Sequence, residues 1–356
     1  PYIRTLPGPV KWLATSVLTT LSATVGTLPI VIYHFYGVNP LTMNHNVISV
    51  PLLCMASIPL CLTGMILPYG EFLLRLAGEI INLNVTVLEF LNIGYIFPVI
   101  RPSLLEILLF YALTLSCIFA RKRLVSLTLV FILIPCTFVH LYTEYADRFH
   151  NRLCVNFIDV GLGDAILVEA PKGVRILIDG GGSYRGEFDP GKSIITPILL
   201  SKKILTLDYV INTHPHGDHI GGIPYILNNF KIKNVVTSGY FMREDKFVAL
   251  LKLVKQKALV LEQWKKGDEY VFNNEFKVVV LSPEPNIPVT DLNDASLVLK
   301  LMHKNNTFLL TGDIGKDIEE RLILTGTRLK ANVLKIPHHG SKNSSIPAFI
   351  SAVMPD

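Results

Sequence analysis

The sequence predicts a multi-pass α-helical membrane domain followed by an α/β domain whose two sheets are flanked by helices, a four-layer α/β/β/α sandwich. Three observations predict it. Charge is uneven. Residues 1–150 carry 8 Lys/Arg and 6 Asp/Glu, residues 151–356 carry 25 and 22, and the whole chain of 356 residues is 50% hydrophobic and only 17% charged. Long charge-free runs fill the first part, and about 20 apolar residues suffice to cross a bilayer. From Leu153 onward, short apolar runs alternate with amphipathic ones and are separated by Gly, Pro and Asp turns. The expected divisions are a membrane domain over 1–142, a polar linker over 143–152 and the α/β domain over 153–356. The net charge of +5 permits an anionic partner without demanding one.

In the first part, Trp12 to Tyr36 holds no Lys, Arg, Asp or Glu and reads as a span, with Gly26 and Pro29 tolerable in a packed membrane helix. Val47 to Gly70 is a second charge-free run, broken by Pro51, Pro59 and Pro68. It reads as one kinked span or a re-entrant pair. Glu71, Arg75 and Glu79 recur at i, i+4 and i+8. They mark an amphipathic helix on the membrane or along a polar path, or a solvated helix face. Leu104 to Ala120 and Leu124 to Tyr142 form a helical hairpin joined by Arg121-Lys122-Arg123. Those cations belong in the cytoplasm, so the chain after Tyr142 emerges on the other side. Glu106, in the first arm, is either a pathway carboxylate or a helix-end group. Cys54, Cys61, Cys117, Cys136 and Cys154 have no metal-ligand spacing and read as small core residues.

In the second part, Leu153 to Val160, Ala165 to Ala170 and Val174 to Ile178 read as strands, the last ending at Asp179 and three glycines. Ser193 to Lys203 reads as a helix and Leu207 to Thr213 as a buried strand. The loop Thr213-His214-Pro215-His216-Gly217-Asp218-His219 follows, and Gly221 to Phe230 is helical. Three imidazoles and a carboxylate in six residues, on a tight strand-to-helix turn, are the groups that Zn²⁺, Mn²⁺ or Fe²⁺ bind. Ile232 to Thr237, Phe276 to Leu281, Ser296 to Met302 and Thr307 to Thr311 are further strands, and Glu244 to Lys257 and Lys316 to Leu324 are helices. Gly312-Asp313 follows one strand. Asn332 to Pro337 runs into another imidazole pair, His338-His339.

His-Pro-His-Gly-Asp-His followed by two glycines resembles the signature of the metallo-β-lactamase fold. Phe157 to Ala165, Leu177 to Gly182, Asn293 to Val298, Leu309 to Ile314 and Val333 to Ser341 resemble the C-terminal domain of the ComEC-type DNA-uptake channel of bacterial competence. Leu28-Pro29-Ile30 and His45 to Leu52 resemble the end of that family's membrane domain. Three positions depart from the family. Leu162 stands where Gln is usual, and His216 where a carboxylate is frequent. The chain also ends at Asp356, where the family continues with a strand and an Asn/His loop. The resemblance therefore implies missing N-terminal segments and a metallo-β-lactamase fold that is C-terminally truncated.

The resemblance also implies a ligand set. His214 and His216 bind one of two divalent ions, Zn²⁺ or Mn²⁺. Asp218 and His219 bind the second, and Asp313 bridges both. His338 or His339 is the last ligand, with His338 placed first and the choice open. The first ion's third histidine has His303 as its only sequence candidate, a poor one at a strand end. Asp218, His216 and Asp313 are the expected catalytic residues. Asp179 is read as a carboxylate orienting a loop histidine. Asp159 and Asp164 are expected near the ions, although turn chemistry explains Asp164 equally well, and Ser341 and Lys342 are placed either to hold a phosphate or simply on the surface. Scattered lysine pairs such as Lys202-Lys203 read as solvated faces.

The implied function is a multi-pass protein of the bacterial inner membrane that passes one DNA strand, while its extracytoplasmic hydrolase domain cleaves the other. Implied partners are DNA, the membrane, a competence DNA receptor, a cytoplasmic helicase-type motor and further copies of the chain in a homo-oligomer. The alternatives are a transport protein with a catalytically idle domain and a membrane-tethered hydrolase of small esters.

Overall fold

The computed structural model describes residues 7–39, 46, 48–91, 97–118, 123–147, 152–182, 188–241, 244–285 and 291–356. The chain divides into two compact units, residues 1–133 and 134–356.

The first unit is helical apart from a short antiparallel pair, β1 (Gly37–Val38) and β2 (Phe97–Pro98). Helix α1 (Gly8–Phe35) carries Pro29 inside it, and the Tyr111 hydroxyl donates to Gly26 O at 2.7 Å beside that proline. A π-helical stretch, Pro51–Ser57, leads into α2 (Ile58–Ile66). It forms one continuous apolar helix over Ile48–Ile66, so the proline-broken run is a single segment and not a re-entrant pair. The wide π turn immediately before Pro59 absorbs the amide that proline lacks. Helix α3 (Glu71–Leu91) packs back on α2. Its Glu71 and Arg75 form an exposed i,i+4 pair at 4.0 Å. Helix α4 (Leu104–Ile118) starts with a reciprocal cap. Glu106 N–H donates to Ser103 Oγ at 3.2 Å, and Ser103 N–H donates back to Glu106 Oε2. Glu106 is thus a helix-end group, satisfying an amide that the first turn leaves free. Helix α5 (Arg123–Asp147) follows; Arg121 and Lys122 lie outside the described residues.

Among the described residues two helical segments, Val10–Phe35 and Ile48–Ile66, are long and apolar enough to cross a bilayer. The described apolar stretches of the hairpin, Leu104–Ser116 and Phe131–Thr143, are shorter than a span. Cys54 and Cys136 are exposed free thiols and not the core residues expected, because apolar helix faces here point outward rather than into a packed interior.

The second unit holds two sheets. One has the order β3-β4-β5-β6-β7-β8, built from Cys154–Phe157, Ile166–Ala170, Val174–Ile178, Thr206–Ile211, Lys231–Thr237 and Val260–Gln263. Strands β5 to β8 are parallel, and β3 and β4 antiparallel. The other has the order β13-β12-β11-β10-β9, from Val333–Lys335, Asn306–Leu310, Val298–His303, Phe276–Ser282 and Glu269–Asn273. Strand alternation explains the layering. Ile166, Val168, Ile176 and Ile178 meet Val278, Val280, Leu299 and Leu301 in one core between the sheets. The intervening Leu167 and Leu177 are also fully buried, so the outer face is covered as well. On the second sheet the odd-numbered partners Leu281 and Leu309 pack with Ile318 and Leu322 of a helix at Lys316–Leu324, and with Phe349 and Val353 of a helix at Pro347–Val353. The expected sandwich is therefore present. Strands β8 and β9 and the last helix are additions to the expected elements.

Candidate metal centre

The parallel strands β5 and β6 end side by side and place the first group of residues. Asp179, the residue after β5, is buried and takes φ 58°, a left-handed conformation that aspartate tolerates better than most side chains. In this pose its carboxylate accepts from Thr213 N–H at 2.8 Å, the Thr213 hydroxyl at 2.7 Å and the Asn212 amide at 3.3 Å. It also holds His219 Nδ1 at 2.8 Å. With Nδ1 fixed, His219 presents Nε2 on the other side, 3.2 Å from Asp313 Oδ2. The Thr213 hydroxyl spends its proton on Asp179, so it accepts from His214 Nδ1, 3.1 Å away. That fixes the His214 tautomer and leaves its Nε2 as a lone pair, 3.1 Å from His216 Nδ1. Two glycines make this density feasible. A Cβ on Gly163 would stand 1.7 Å from Asp218 O, and one on Gly182 2.0 Å from Gly217 O.

The second sheet supplies the facing wall. Strand β12 ends at Leu310, and Gly312 takes φ 52° before Asp313, whose N–H donates to Ser296 Oγ at 3.1 Å. Strand β13, parallel to β12, delivers Lys335 and the imidazole pair. Lys335 Nζ donates to Gly312 O at 2.9 Å, lies 3.5 Å from Asp313 Oδ1 and pairs closely with Asp164 Oδ2. His338 and His339 both adopt left-handed backbone, φ 47° and 52°. This turn directs His339 toward the carboxylates. Its Nε2 is 3.1 Å from Asp313 Oδ2 and 4.0 Å from Asp218 Oδ2, and its Nδ1 is 3.5 Å from Asp164 Oδ1. His338 gives its backbone N–H to Gly312 O at 3.2 Å, and its ring lies 6.2 Å from that of His339. Glu319, fully buried, pins the far end of the loop by accepting from Ser345 N–H and Ile346 N–H at 2.6 and 2.8 Å.

The charges in this cluster shift one another. Burial lowers His219's affinity for a proton, but Asp179 and Asp313 outweigh it and raise its pKa to about 10. Hydrogen bonds to Asp164 and Asp313 raise His339 to about 9. Burial pushes Asp313 up, yet His219, His339 and Lys335 together hold it far below the carboxylate range. Asp164 is likewise lowered, burial being outweighed by His339 and Lys335. His214 lies well below the usual imidazole range, first through burial and then through the cation at His219. A group of anionic carboxylates and imidazoles with fixed tautomers is what a divalent cation replaces protons on.

The donor set fits such a cation. One potential ligand atom from each of Asp164, His219, Asp313 and His339 lies within 4.8 Å of all the others, and every donor is nitrogen or oxygen. His214, His216 and Asp218 adjoin this group. The ring of His214 is 4.1 Å from that of His219 and 4.8 Å from that of His216. His339 is therefore the member of the pair that faces the group, and Asp164 belongs to it. Ser341 N–H closes the turn onto His338 O at 2.8 Å. His303 sits at the opposite end of β11 from Ser296, 3.8 Å from Glu275. Lys335 and Thr213 contact the cluster and were missed by sequence reasoning. A lysine in the apolar run Val333 to Ile336 is the signal that marks the first, since a buried ammonium needs an anionic partner.

Residues 158–356 match the family model of the metallo-beta-lactamase superfamily, and residues 2–124 match that of the competence protein. "ComE operon protein 3" of Bacillus subtilis (strain 168) is 30% identical over 95% of this chain and 46% of its own length. "Competence protein ComA" of Neisseria gonorrhoeae is 25% identical over 96% and 45%. "Uncharacterized protein YcaI" of Escherichia coli (strain K12) is 24% identical over 98% and 44%. The chain spans less than half the length of these relatives. Both domain matches agree with the resemblance that the sequence motifs carry.

Proposed function

Because the chain belongs to the metallo-beta-lactamase superfamily, with a competence-protein segment ahead of that domain, we propose that it is part of a membrane DNA-uptake protein whose hydrolase domain cleaves DNA phosphodiesters. The observation that carries this reading is the meeting of Asp164, His219, Asp313 and His339 from four separate loops around one point. Such convergence costs buried charge and strained backbone, which folding alone does not require.

Two divalent ions, Zn²⁺ or Mn²⁺, would supply Lewis acidity for the attacking water and the phosphate oxygens. The absence of sulfur donors and the hardness of phosphate oxygen favour Mn²⁺ at least as much as Zn²⁺. His214 and His216 would hold one ion and Asp218, His219 and His339 the other, with Asp313 between them. Asp179 keeps His219 in one tautomer, so that Nε2 is the nitrogen offered. Asp218, 4.0 Å from His339 Nε2 and with a more exposed side chain than Asp313, is suited to orient the nucleophile. Lys335 steadies the carboxylates from behind.

In the same reading the first unit belongs to a multi-pass domain of the bacterial inner membrane, the hydrolase domain is extracytoplasmic, and the strand it degrades is the one not transported. A competence receptor and a helicase-type motor would deliver and draw in the DNA, with self-association as a further partner state. The test uses the 356-residue chain in detergent, Mn²⁺ and labelled single-stranded DNA. Cleavage that disappears in Asp218→Ala, about 10³-fold or more, is expected. Two bound ions with no cleavage of DNA would instead favour an idle domain, and turnover of small esters alone a different hydrolase.

A further inference from the structure

Asn293 lies in the 3-10 turn Leu292–Ala295, which leads into β11. Both backbone groups of Asn293 are engaged. Asn293 N–H donates to Asp291 Oδ1 at 2.9 Å, and Asn293 O accepts from Ser296 N–H at 3.0 Å. The turn is wedged between the two walls of the centre. Leu297 N–H donates to Thr213 O at 3.0 Å, immediately before His214, and Ser296 Oγ accepts from Asp313 N–H. The neighbouring carboxylate, Asp294, is committed to Gly315 N–H at 3.3 Å. One buried side-chain atom of the turn is left over. The side-chain oxygen of Asn293 is buried and has no hydrogen-bond partner.

A buried carbonyl oxygen with no donor is unfavourable, and native proteins rarely keep one without a use. The imidazole pair His214 and His216 has the complementary deficit. It offers two nitrogens, Asp313 adds one oxygen shared with the other ion, and the expected third histidine, His303, is at the far end of its strand. We propose that the amide oxygen of Asn293 is a ligand of the ion held by His214 and His216, in the place where a histidine is missing. The inference rests on the two-ion reading above. A neutral amide oxygen is a hard donor, so this choice tilts that position toward Mn²⁺ and away from Zn²⁺, for which a third imidazole is the better match.

The experiment is a Mn²⁺ titration of the full chain in detergent, followed by electron paramagnetic resonance of free Mn²⁺, with melting temperatures measured in chelator. Wild type is expected to bind two equivalents. Asn293→Ala should keep one and bind the other at least tenfold more weakly, whereas Asn293→Asp, which retains an oxygen donor, should keep both. In chelator, Asn293→Ala should melt at the wild-type temperature or above, because it removes an unpartnered acceptor. Unchanged affinity for both ions in Asn293→Ala overturns the proposal. A lower melting temperature in chelator does so too, since it would reveal a structural partner for that oxygen. Wild type that binds fewer than two ions sinks the two-ion reading itself, and the proposal with it.

Discussion

The two walls of the centre are built on opposite terms. The wall from the six-stranded sheet is buried and over-determined: Asp179, His214 and His219 are at most 1% exposed, and a single carboxylate binds four donors. The wall from the five-stranded sheet is held at its ends. Lys335 and Glu319 anchor it, while His339 lies on left-handed backbone with its side chain 36% exposed. The contrast teaches where rigidity is spent. Tautomers and angles are set on the buried side, and the exposed side is left able to admit a substrate.

The largest effect should follow from breaking the buried wall. Asp179→Ala leaves His219, Thr213 and Asn212 without their acceptor, and loss of one partner of a buried charged group costs about 3–5 kcal/mol. Chemical denaturation of the metal-free chain measures it. A loss under 1 kcal/mol would mean that Asp179 does not organise the wall. Asp179→Asn, with similar shape, should lose less stability but also weaken metal binding, because an amide cannot accept from both Thr213 and His219 as a carboxylate does.

The next effect separates the walls by pH. His219 and His339 have raised pKa values, about 10 and about 9, against roughly 6.5 in an unfolded chain. Their stabilisation of the metal-free fold is complete below about pH 6.5 and is lost as pH rises through 9 to 10. His214 has the opposite sign, since its pKa is lowered; its contribution is complete above about pH 6.5 and is lost as pH falls. The lowered carboxylates Asp164 and Asp313 add a loss at still lower pH. Melting temperature in chelator should therefore peak near pH 6.5 and fall on the alkaline side. Saturating Mn²⁺ should flatten the alkaline limb, because the ions replace those protons. An alkaline limb that is already flat in chelator would remove this account of both histidines.

A smaller effect is expected on the exposed wall. Lys335→Met removes the cation between Asp164 and Asp313 and should cost the metal-free protein about 1.5–3 kcal/mol, the range for hydrogen bonds to charged groups. The same change should raise Mn²⁺ affinity, up to about tenfold, since the ammonium no longer competes for the carboxylates. Weaker binding would show that Lys335 supports the ligands more than it opposes the ion. Titration calorimetry reads the sign directly.

The buried wall is also the one that the sequence makes legible. Its residues are contiguous: strand, then His214 to His219, then helix, with Asp179 ending the neighbouring strand. Local spacing was enough to infer that Asp179 orients a loop histidine, and the 2.8 Å contact to His219 has that form. The exposed wall is less readable because its geometry comes from backbone that spacing does not encode. Two successive left-handed residues decide between His338 and His339. Lys335 stands out in its apolar run, but its partners emerge only when β13 is set beside Gly312 and the Asp164 loop. In the fold the same rule holds. Buried strands such as β5 and β6 declare themselves by apolar runs, whereas β8, at the sheet edge with Val260 and Leu261 exposed, follows the preceding helix region without a break that marks it. In the first unit, hydropathy identifies the helices, but Glu106 needed Ser103 at its side to be read as a cap.

The smallest effect should come from Leu162. It projects from the Gly161-Leu162-Gly163 turn and is 58% exposed, although Gly163 next to it has no room for any side chain against Asp218. Its backbone oxygen accepts from Gly182 N–H at 3.3 Å, a contact that any residue keeps. Leu162→Gln should then change stability by less than about 0.5 kcal/mol, as surface substitutions do, and leave the count of bound ions unaltered. If the rim beside Asp218 meets the sugar–phosphate chain, the amide should lower KM for single-stranded DNA a few-fold with kcat unchanged. A change in kcat would instead place residue 162 within reach of the ligands and erase the division between a fixed wall and an open one.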